Sequence, residues 1–195
     1  MTQAGFWERG YFLAENLLSA EQISFVRSAM DASRRTGAMH RSKGSTVPVA
    51  ALNEYAPLGG EAMLLQCRPA IEAVVGRELV PAYAFWRIYE RGAALLRHVD
   101  RNACEVSATI TVAIDPESAD WPIMVEGLDG TSAALILRPG DAAVYLGCQV
   151  PHWRDPLPGA SQHQLFLHYV LKDGPNAGLA FDGRTKLRLG IEPEG

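Results

Sequence analysis

The alternation of apolar and polar positions divides the chain into a helical first half and a β-rich second half. Ser19 begins a capping-box pattern, and apolar residues then recur at helical spacing from Ile23 to Met30. This pattern predicts an amphipathic helix over residues 20–35 that ends near Gly37.

The next segment, residues 37–60, contains many Gly, Ser and Pro residues and has no clear periodicity. We expect a long loop there, and long loops in compact domains are often lids or binding loops. Helical character returns over residues 60–76, where Pro69 indicates either a break or the start of a second short helix.

From residue 80 onward, short β-favouring runs alternate with turns. Pro139, Gly140 and Asp141 predict the turn of a hairpin between two of these runs. Several short strands after N-terminal helices predict a β-sandwich or barrel buttressed by helices. The predicted strands are Ala82 to Tyr89, Val106 to Ile114, Ala133 to Leu137, Ala142 to Leu146, and Gln164 to Leu171.

Length and composition indicate one globular domain, residues 1–195. We expect helical support over about 15–76, a β core over about 80–172, and a surface tail over 173–195. A formal charge of −4 without a dense basic patch argues against nucleic-acid binding. Three widely spaced cysteines indicate free thiols in a reducing compartment, and no secretory signal or membrane span is evident, so we expect a cytoplasmic protein of unknown oligomeric state.

Two histidines and one aspartate have the spacing of a metal site. His98 and Asp100 are two residues apart, so in an extended segment their side chains point the same way. His152 follows the last part of a predicted strand and is the best candidate for a third ligand. Two histidines and a carboxylate form the facial triad of non-haem iron(II) oxygenases, which leaves positions open for a co-substrate and oxygen.

These residues lie in motifs that resemble the prolyl-4-hydroxylase-like branch of the iron(II)/2-oxoglutarate dioxygenases. In that branch, a strand bearing a tyrosine leads through a glycine turn to H-x-D, here Tyr89, Gly92 and the His98 motif. An L-x-P-G-D hairpin follows, matched by residues 137–141, and then the distal histidine, matched by His152. The resemblance covers roughly residues 10–172.

The resemblance implies a mainly β fold with N-terminal helices: a double-stranded β-helix (jelly-roll) core. It also implies iron(II), 2-oxoglutarate as co-substrate and O2. Such enzymes couple decarboxylation of 2-oxoglutarate to succinate with oxidation, usually hydroxylation, of an unactivated C–H bond. Because Asp100 is retained, where halogenating members have lost the carboxylate, the resemblance favours a hydroxylase.

The chain departs from the family at the position that binds the far carboxylate of 2-oxoglutarate. The family places Lys or Arg about ten residues after the distal histidine, whereas this chain has Gln162, with Gln164 close by. A desolvated carboxylate still requires donors, preferably a guanidinium. Arg154 is the first candidate and Arg87 the second, and Tyr89 could donate its hydroxyl, as the resemblance implies.

Other residues are candidates for the substrate side of the site. Arg101, directly after Asp100, could bind an acidic substrate, and His168 falls where the family often has a pocket-lining tryptophan. Further candidate contacts are Trp153, Asn53 and Tyr55. The short chain favours a small molecule or an amino-acid-like group as substrate.

Two alternatives remain open at this point. The first is a cupin-type metal-binding jelly-roll with non-oxidative activity, although cupins favour two histidines with a glutamate and a further histidine. The second is a small-ligand-binding barrel that has lost its chemistry, which would require a broken triad.

Overall fold

A computed structural model describes residues 3–42, 51–116 and 119–184, with side chains from residue 5 onward. The α-helices of this part are Gln3–Arg9 (α1), Ala20–Thr36 (α2) and Leu58–Val75 (α3). The strands are Tyr11–Ala14 (β1), His40–Arg41 (β2), Ala51–Tyr55 (β3), Leu79–Glu90 (β4), Leu95–His98 (β5), Val106–Asp115 (β6), Ile123–Glu126 (β7), Ser132–Leu135 (β8), Ala142–Tyr145 (β9), His152–Arg154 (β10) and Ser161–Leu171 (β11). Short 3-10 helices cover Asn102–Cys104 and Ala177–Gly183.

The strands form two antiparallel sheets. The major sheet has the order β1-β9-β6-β11-β4-β3-β2, and the minor sheet has the order β5-β10-β7-β8. From β4 to β11 the chain passes back and forth between the two sheets, with β7 and β8 as a pair within the minor sheet, which is the arrangement of a double-stranded β-helix. The predicted jelly-roll core buttressed by helices is therefore confirmed.

The helices cover one face of the major sheet, and the minor sheet faces the other. Along β11, Leu165, Leu167 and Tyr169 are buried in the large core that the helices complete. Because strand side chains alternate in direction, the intervening residues from Gln162 to His168 face the minor sheet. The inside of the barrel is where the candidate site lies.

The predicted first helix is confirmed with its caps. The Ser19 side chain accepts a hydrogen bond from the Gln22 backbone, and the Gln22 side chain accepts one from the Ser19 backbone, so the capping box is complete. The helix ends at Thr36, where Gly37 takes a left-handed conformation at φ 78°. Val26 and Met30 are fully buried on its inner face.

The prediction of one long loop over 37–60 is wrong. β2 and β3 form within it and extend the major sheet beside β4, and α3 already begins at Leu58. The polar side chains of β3 do not follow the pattern of a strand in the sequence. One of them, Glu54, is accommodated across the sheet, where it accepts a hydrogen bond from Trp86 Nε1 at 2.7 Å. Residues 43–50 lie outside the described part of the chain.

α3 continues through Pro69 without the predicted interruption. Pro69 lies on the exposed face, as does Leu65, whose carbonyl has no helical N–H partner because proline lacks that group. On the opposite face, buried residues such as Leu64 and Ile71 hold the helix against the sheet. Packing therefore outweighs the local cost of the proline.

The predicted hairpin around Pro139-Gly140-Asp141 is also wrong, although both flanking strands exist. β8 belongs to the minor sheet and β9 to the major sheet, so the turn carries the chain from one sheet to the other. Asp141 fixes this crossing, since its carboxylate accepts hydrogen bonds from the backbone N–H groups of Asn16 and Arg138, each at 2.9 Å. Of the predicted tail, residues 185–195 lie outside the described residues.

Candidate metal centre

Strand pairing brings the two candidate histidines together. β10 pairs with β5 in the minor sheet, and His152 is the direct cross-strand partner of His98. Their rings lie 4.3 Å apart between centroids. Two residues distant in sequence thus become neighbours through the register of one antiparallel pair.

Both imidazoles present the same nitrogen to the site. His98 Nδ1 lies 2.8 Å from the carbonyl of Leu96, and His152 Nδ1 lies 3.0 Å from that of Val150. A carbonyl can only accept, so each Nδ1 carries the proton and the Nε2 of each neutral ring is an acceptor; the Tyr145 hydroxyl lies 3.5 Å from His152 Nε2 and can donate to it. This is the tautomer that a metal ligand requires.

Asp100 completes the group. Its Oδ1 lies 3.5 Å from His98 Nε2 and 3.6 Å from His152 Nε2. All three ligand atoms lie within 4.8 Å of one another. One ion could bridge such atoms, because bonds from metals to nitrogen and oxygen ligands are about 2.0–2.2 Å long.

The other oxygen of Asp100 is held by the protein. Ser107 Oγ donates to Asp100 Oδ2 at 3.2 Å, and the Asp100 backbone N–H donates to the Gly147 carbonyl at 2.8 Å. Ser107 Oγ also lies 2.9 Å from His168 Nδ1. Because the hydroxyl has a single proton and gives it to the carboxylate, His168 is the donor in the second contact.

The three candidate ligands influence each other's pKa values, and Asp100 and His152 are shifted toward the forms that bind a cation. Burial alone would raise the pKa of Asp100, but the neighbouring histidines His98, His152 and His168 outweigh it and lower this pKa. Burial lowers the pKa of His152 below its ordinary value. Burial also acts to lower the pKa of His98, but the carboxylate of Asp100 outweighs it and raises that pKa.

A cavity of about 380 Å³ opens beside these three residues. Its walls include aromatic side chains that the sequence did not single out, namely Tyr83, Phe85, Tyr145 and Phe166. The signal that could have found most of them is the period of two along β4 and β11, because Phe85 shares a face with Arg87 and Phe166 shares a face with His168.

Arg87 lines this cavity and has only neutral hydrogen-bond partners. Its Nε donates to Asn53 Oδ1, and its Nη1 donates to the Tyr89 hydroxyl at 3.1 Å. The guanidinium also lies over the ring of Phe166, 5.7 Å from its centroid. No carboxylate of the described residues pairs with Arg87.

Arg154 lies deeper and is not a lining residue of the cavity. It is 2 % exposed, packs over the Trp121 ring at 4.6 Å and donates to the Trp121 carbonyl. Burial lowers its pKa to about 10. Its Nη2 atom is buried without a hydrogen-bond partner in the part of the chain that the structure describes.

The remaining candidate co-substrate residues are also inside the barrel. Tyr89 is fully buried and accepts its hydrogen bond from Arg87. Gln164 is the direct cross-strand partner of Arg87, and its amide donates to Thr109 Oγ1 at 2.8 Å.

The candidate substrate residues are dispersed. Arg101 and His168 line the cavity, and burial lowers the pKa of His168 to about 4. Tyr55 and Arg101 both bind the carboxylate of Asp182. Trp153 instead packs under the guanidinium of Arg97 at 5.8 Å.

Cys104, Asp100 and His168 form a second group of possible metal ligands, whose ligand atoms lie within 4.8 Å of one another. The Cys104 thiol is 3.1 Å from the Tyr83 hydroxyl, and burial raises the pKa of the thiol well above its ordinary value. The thiol is therefore neutral near pH 7, when no metal is bound.

The donor set fits a divalent iron ion. Two neutral imidazoles and one carboxylate on one side of an open cavity are the ligands that non-haem iron(II) sites use. Arg87 on the cavity wall has no carboxylate partner among the described residues. Among the described residues, no helix is both long and apolar enough to cross a membrane.

Neither a protein-family model nor a curated protein sequence matches the chain. Solved structures do match. A prolyl-4-hydroxylase from Pseudomonas putida aligns with a TM-score of 0.68 at 18% identity, over 86% of this chain and 96% of its own. The epimerase SnoN, solved with Fe3+, alpha ketoglutarate and nogalamycin RO, aligns with a TM-score of 0.73 at 11% identity, over 91% and 87%. EctD from S. alaskensis, solved with 2-oxoglutarate and 5-hydroxyectoine, aligns with a TM-score of 0.64 at 15% identity, over 87% and 74%.

These neighbours are similar in fold rather than in sequence. They include a prolyl-4-hydroxylase and two proteins solved with alpha ketoglutarate or 2-oxoglutarate, and their shared architecture is the one described above. The chain has the double-stranded β-helix fold of the iron(II)/2-oxoglutarate-dependent oxygenases, as its prolyl-4-hydroxylase-like motifs predicted.

Proposed function

We propose that this protein is an iron(II)- and 2-oxoglutarate-dependent dioxygenase that hydroxylates a C–H bond of a small molecule or amino-acid-like substrate, with release of succinate and CO2. The observation that carries the proposal is the convergence of His98, Asp100 and His152 at one cavity that also contains an unpaired arginine. The matching fold supports the same class of chemistry.

In this proposal, His98 Nε2, His152 Nε2 and Asp100 Oδ1 hold the iron. Iron(II) with 2-oxoglutarate and O2 supplies the oxidising power to break an unactivated C–H bond. The protein contributes fixed ligands: the carbonyls of Leu96 and Val150 accept from the two Nδ1 atoms, so that Nε2 of each neutral ring is the nitrogen available to a metal.

Arg87 is the residue that we propose to bind the far carboxylate of 2-oxoglutarate. It lines the same cavity as the three ligands, and its present partners, Asn53 and Tyr89, are neutral. A carboxylate would gain a charge-assisted hydrogen bond without displacing another anion. The cross-strand position of Gln164 suggests that the cation is supplied by β4 in this chain rather than by β11.

Arg154, our first candidate from sequence, is the second candidate here. Its Nη2 is a donor without an acceptor among the described residues, but Arg154 is not among the residues that line the cavity.

The aromatic wall supports a small organic substrate. Phe85 and Phe166 face the cavity with Tyr83, next to the metal ligands. A volume of about 380 Å³ accommodates 2-oxoglutarate and a substrate group of similar size, not a bulky polymer.

Succinate production tests the activity. The iron(II)-loaded protein should convert 2-oxoglutarate to succinate slowly without a substrate, only in the presence of oxygen. His98→Ala and His152→Ala should lose this turnover, whereas His40→Ala should keep it because His40 is an exposed residue of β2. Oxygen-dependent succinate that survives in both triad variants would contradict the proposal.

Exchanging the residues at positions 87 and 164, which are partners across β4 and β11, tests whether Arg87 binds 2-oxoglutarate. Arg87→Gln should raise the 2-oxoglutarate concentration needed for half-maximal turnover about 30-fold or more, since a desolvated charge partner is lost. Arg87→Gln combined with Gln164→Arg should recover part of this loss, because the guanidinium moves by only one strand spacing of about 4.8 Å. If Arg154→Met causes the larger increase, Arg154 is the binding residue.

A further inference from the structure

At the cavity mouth, three hydrogen bonds converge on one carboxylate. Arg101 donates from Nη1 to Asp182 Oδ1 at 2.8 Å and from Nη2 to Asp182 Oδ2 at 2.6 Å. The Tyr55 hydroxyl donates to the same carboxylate. A bidentate guanidinium with a phenol is a strong arrangement for recognising a carboxylate.

Arg101 belongs to the wall of the cavity. It follows the proposed metal ligand Asp100 directly, and its guanidinium lies 4.6 Å from the centre of the Tyr83 ring. Its carbonyl accepts hydrogen bonds from the Cys104 backbone N–H at 2.8 Å and from the Cys148 thiol at 3.2 Å. These contacts do not involve Asp182, so they persist if Asp182 leaves.

Asp182 reaches Arg101 through an unfavourable backbone. Phe181 and Asp182 both have left-handed backbone conformations, at φ 47° and 55°. Residues other than glycine rarely adopt such conformations. The segment does not depend on Asp182 for its attachment. Arg184, two residues later, forms an ion pair with the buried Glu61 at 2.9 Å and donates to the Ala82 carbonyl at 3.1 Å.

We propose that Arg101 and Tyr55 form the subsite for a carboxylate of the substrate, and that Asp182 fills this subsite until the substrate displaces it. The inference rests on the proposed dioxygenase function and narrows its substrate to small molecules that carry a carboxylate. Arg87 remains available for 2-oxoglutarate, so the two anions have separate cations. The displaced segment of residues 181–183 then relaxes while Arg184 keeps it attached.

Binding of phenylacetate, compared with its uncharged analogue phenylacetamide, tests the subsite. Isothermal titration of the protein as purified, without 2-oxoglutarate, should detect weak phenylacetate binding. Asp182→Asn should bind phenylacetate at least about tenfold more tightly, because the competing charge is gone, while phenylacetamide binding is unchanged. Asp182→Asn with Arg101→Gln should lose the gain.

Matched variants separate the subsite from other effects. Asp173→Asn removes an exposed carboxylate that pairs with Arg77 away from the cavity, and it should not alter phenylacetate binding. Asp182→Asn with Arg87→Gln should keep the gain, which distinguishes Arg101 from the proposed co-substrate arginine. Arg101→Gln alone should abolish the wild-type affinity, which tests the subsite even if an Asp182 variant folds poorly.

The inference is overturned if Asp182→Asn binds phenylacetate no more tightly than the wild type, or if the gain survives Arg101→Gln. The titration needs neither oxygen nor turnover. A failed succinate assay would therefore reject the proposed dioxygenase activity. The outcome of the binding experiment does not depend on that assay.

Discussion

Gly147→Ala should weaken metal binding through a backbone clash behind Asp100. A Cβ atom at position 147 would lie 2.3 Å from the Cys104 carbonyl oxygen, 2.7 Å from Ser107 Oγ and 2.8 Å from Asp100 Oδ2. Contacts of a Cβ below 3.0 Å are essentially never observed, so either residue 147, whose carbonyl accepts from the Asp100 backbone N–H, or the segment from Asp100 to Ser107 must shift. The nearest of these atoms belongs to the backbone and cannot swing away.

The expected magnitude follows from the size of that shift. The closest contact must open from 2.3 Å to at least 3.0 Å, whereas metal ligands tolerate displacements of only about 0.2 Å. We expect affinity for Co(II), a spectroscopic substitute for iron(II), to fall about 10–100-fold, as when a group that orients a ligand is lost. Overpacking of this kind also lowers the free energy of unfolding by about 1–3 kcal/mol.

Titration with Co(II), followed by visible absorption, measures the first effect, and urea unfolding measures the second. Gly178→Ala is the matched control, because a Cβ atom there meets nothing within 4 Å. Wild-type Co(II) affinity in Gly147→Ala would refute the assignment of Asp100 as a ligand held by this contact.

Three further outcomes test the fold and its thiols. Glu61→Ala should lower the free energy of unfolding by about 3–5 kcal/mol, because it leaves Arg184 buried without its partner; urea unfolding measures this. Ser19→Ala should lower it by about 0.5–2 kcal/mol through loss of the helix cap, in the same assay. Cys148 should be the first thiol of the native protein to react with iodoacetamide, as shown by intact mass, since the other two cysteines are buried. Partial burial raises the pKa of Cys148 to about 11, so its reaction should accelerate as the pH rises from about 7 to 9.

Local patterns predicted the elements that local chemistry determines. The capping box of Ser19 and the left-handed Gly37 delimit α2 as expected. The apolar run of β11 and the alternating run of β6 identified two central strands of the major sheet. These signals lie within single elements, so no knowledge of the tertiary structure was needed.

Elements that depend on distant partners were missed or misread. β3 is a strand because it pairs with β4, and its polar residues bond across the sheet. The strands around Pro139 looked like a hairpin, but sheet membership is decided by their partners elsewhere. Pro69 remains helical because the opposite face of α3 is buried.

The candidate site shows the same division. His98, Asp100 and His152 could be selected from spacing and resemblance, and the pairing of β5 with β10 brings them together. The contact between Arg101 and Asp182 spans 81 positions and could not be read from the sequence. Likewise, proximity to His152 in the sequence placed Arg154 above Arg87 as a candidate. Only the structure reveals that Arg87 lines the cavity and Arg154 does not.

Anaerobic absorption spectroscopy tests the central claim most directly. With iron(II) and 2-oxoglutarate added together, the wild-type protein should develop a weak visible charge-transfer band that saturates at about one iron per chain, as one three-ligand site requires. His98→Ala should lose the band, and His40→Ala should keep it. Absence of the band in the wild type, or its persistence in His98→Ala, would contradict an iron site built from His98, Asp100 and His152.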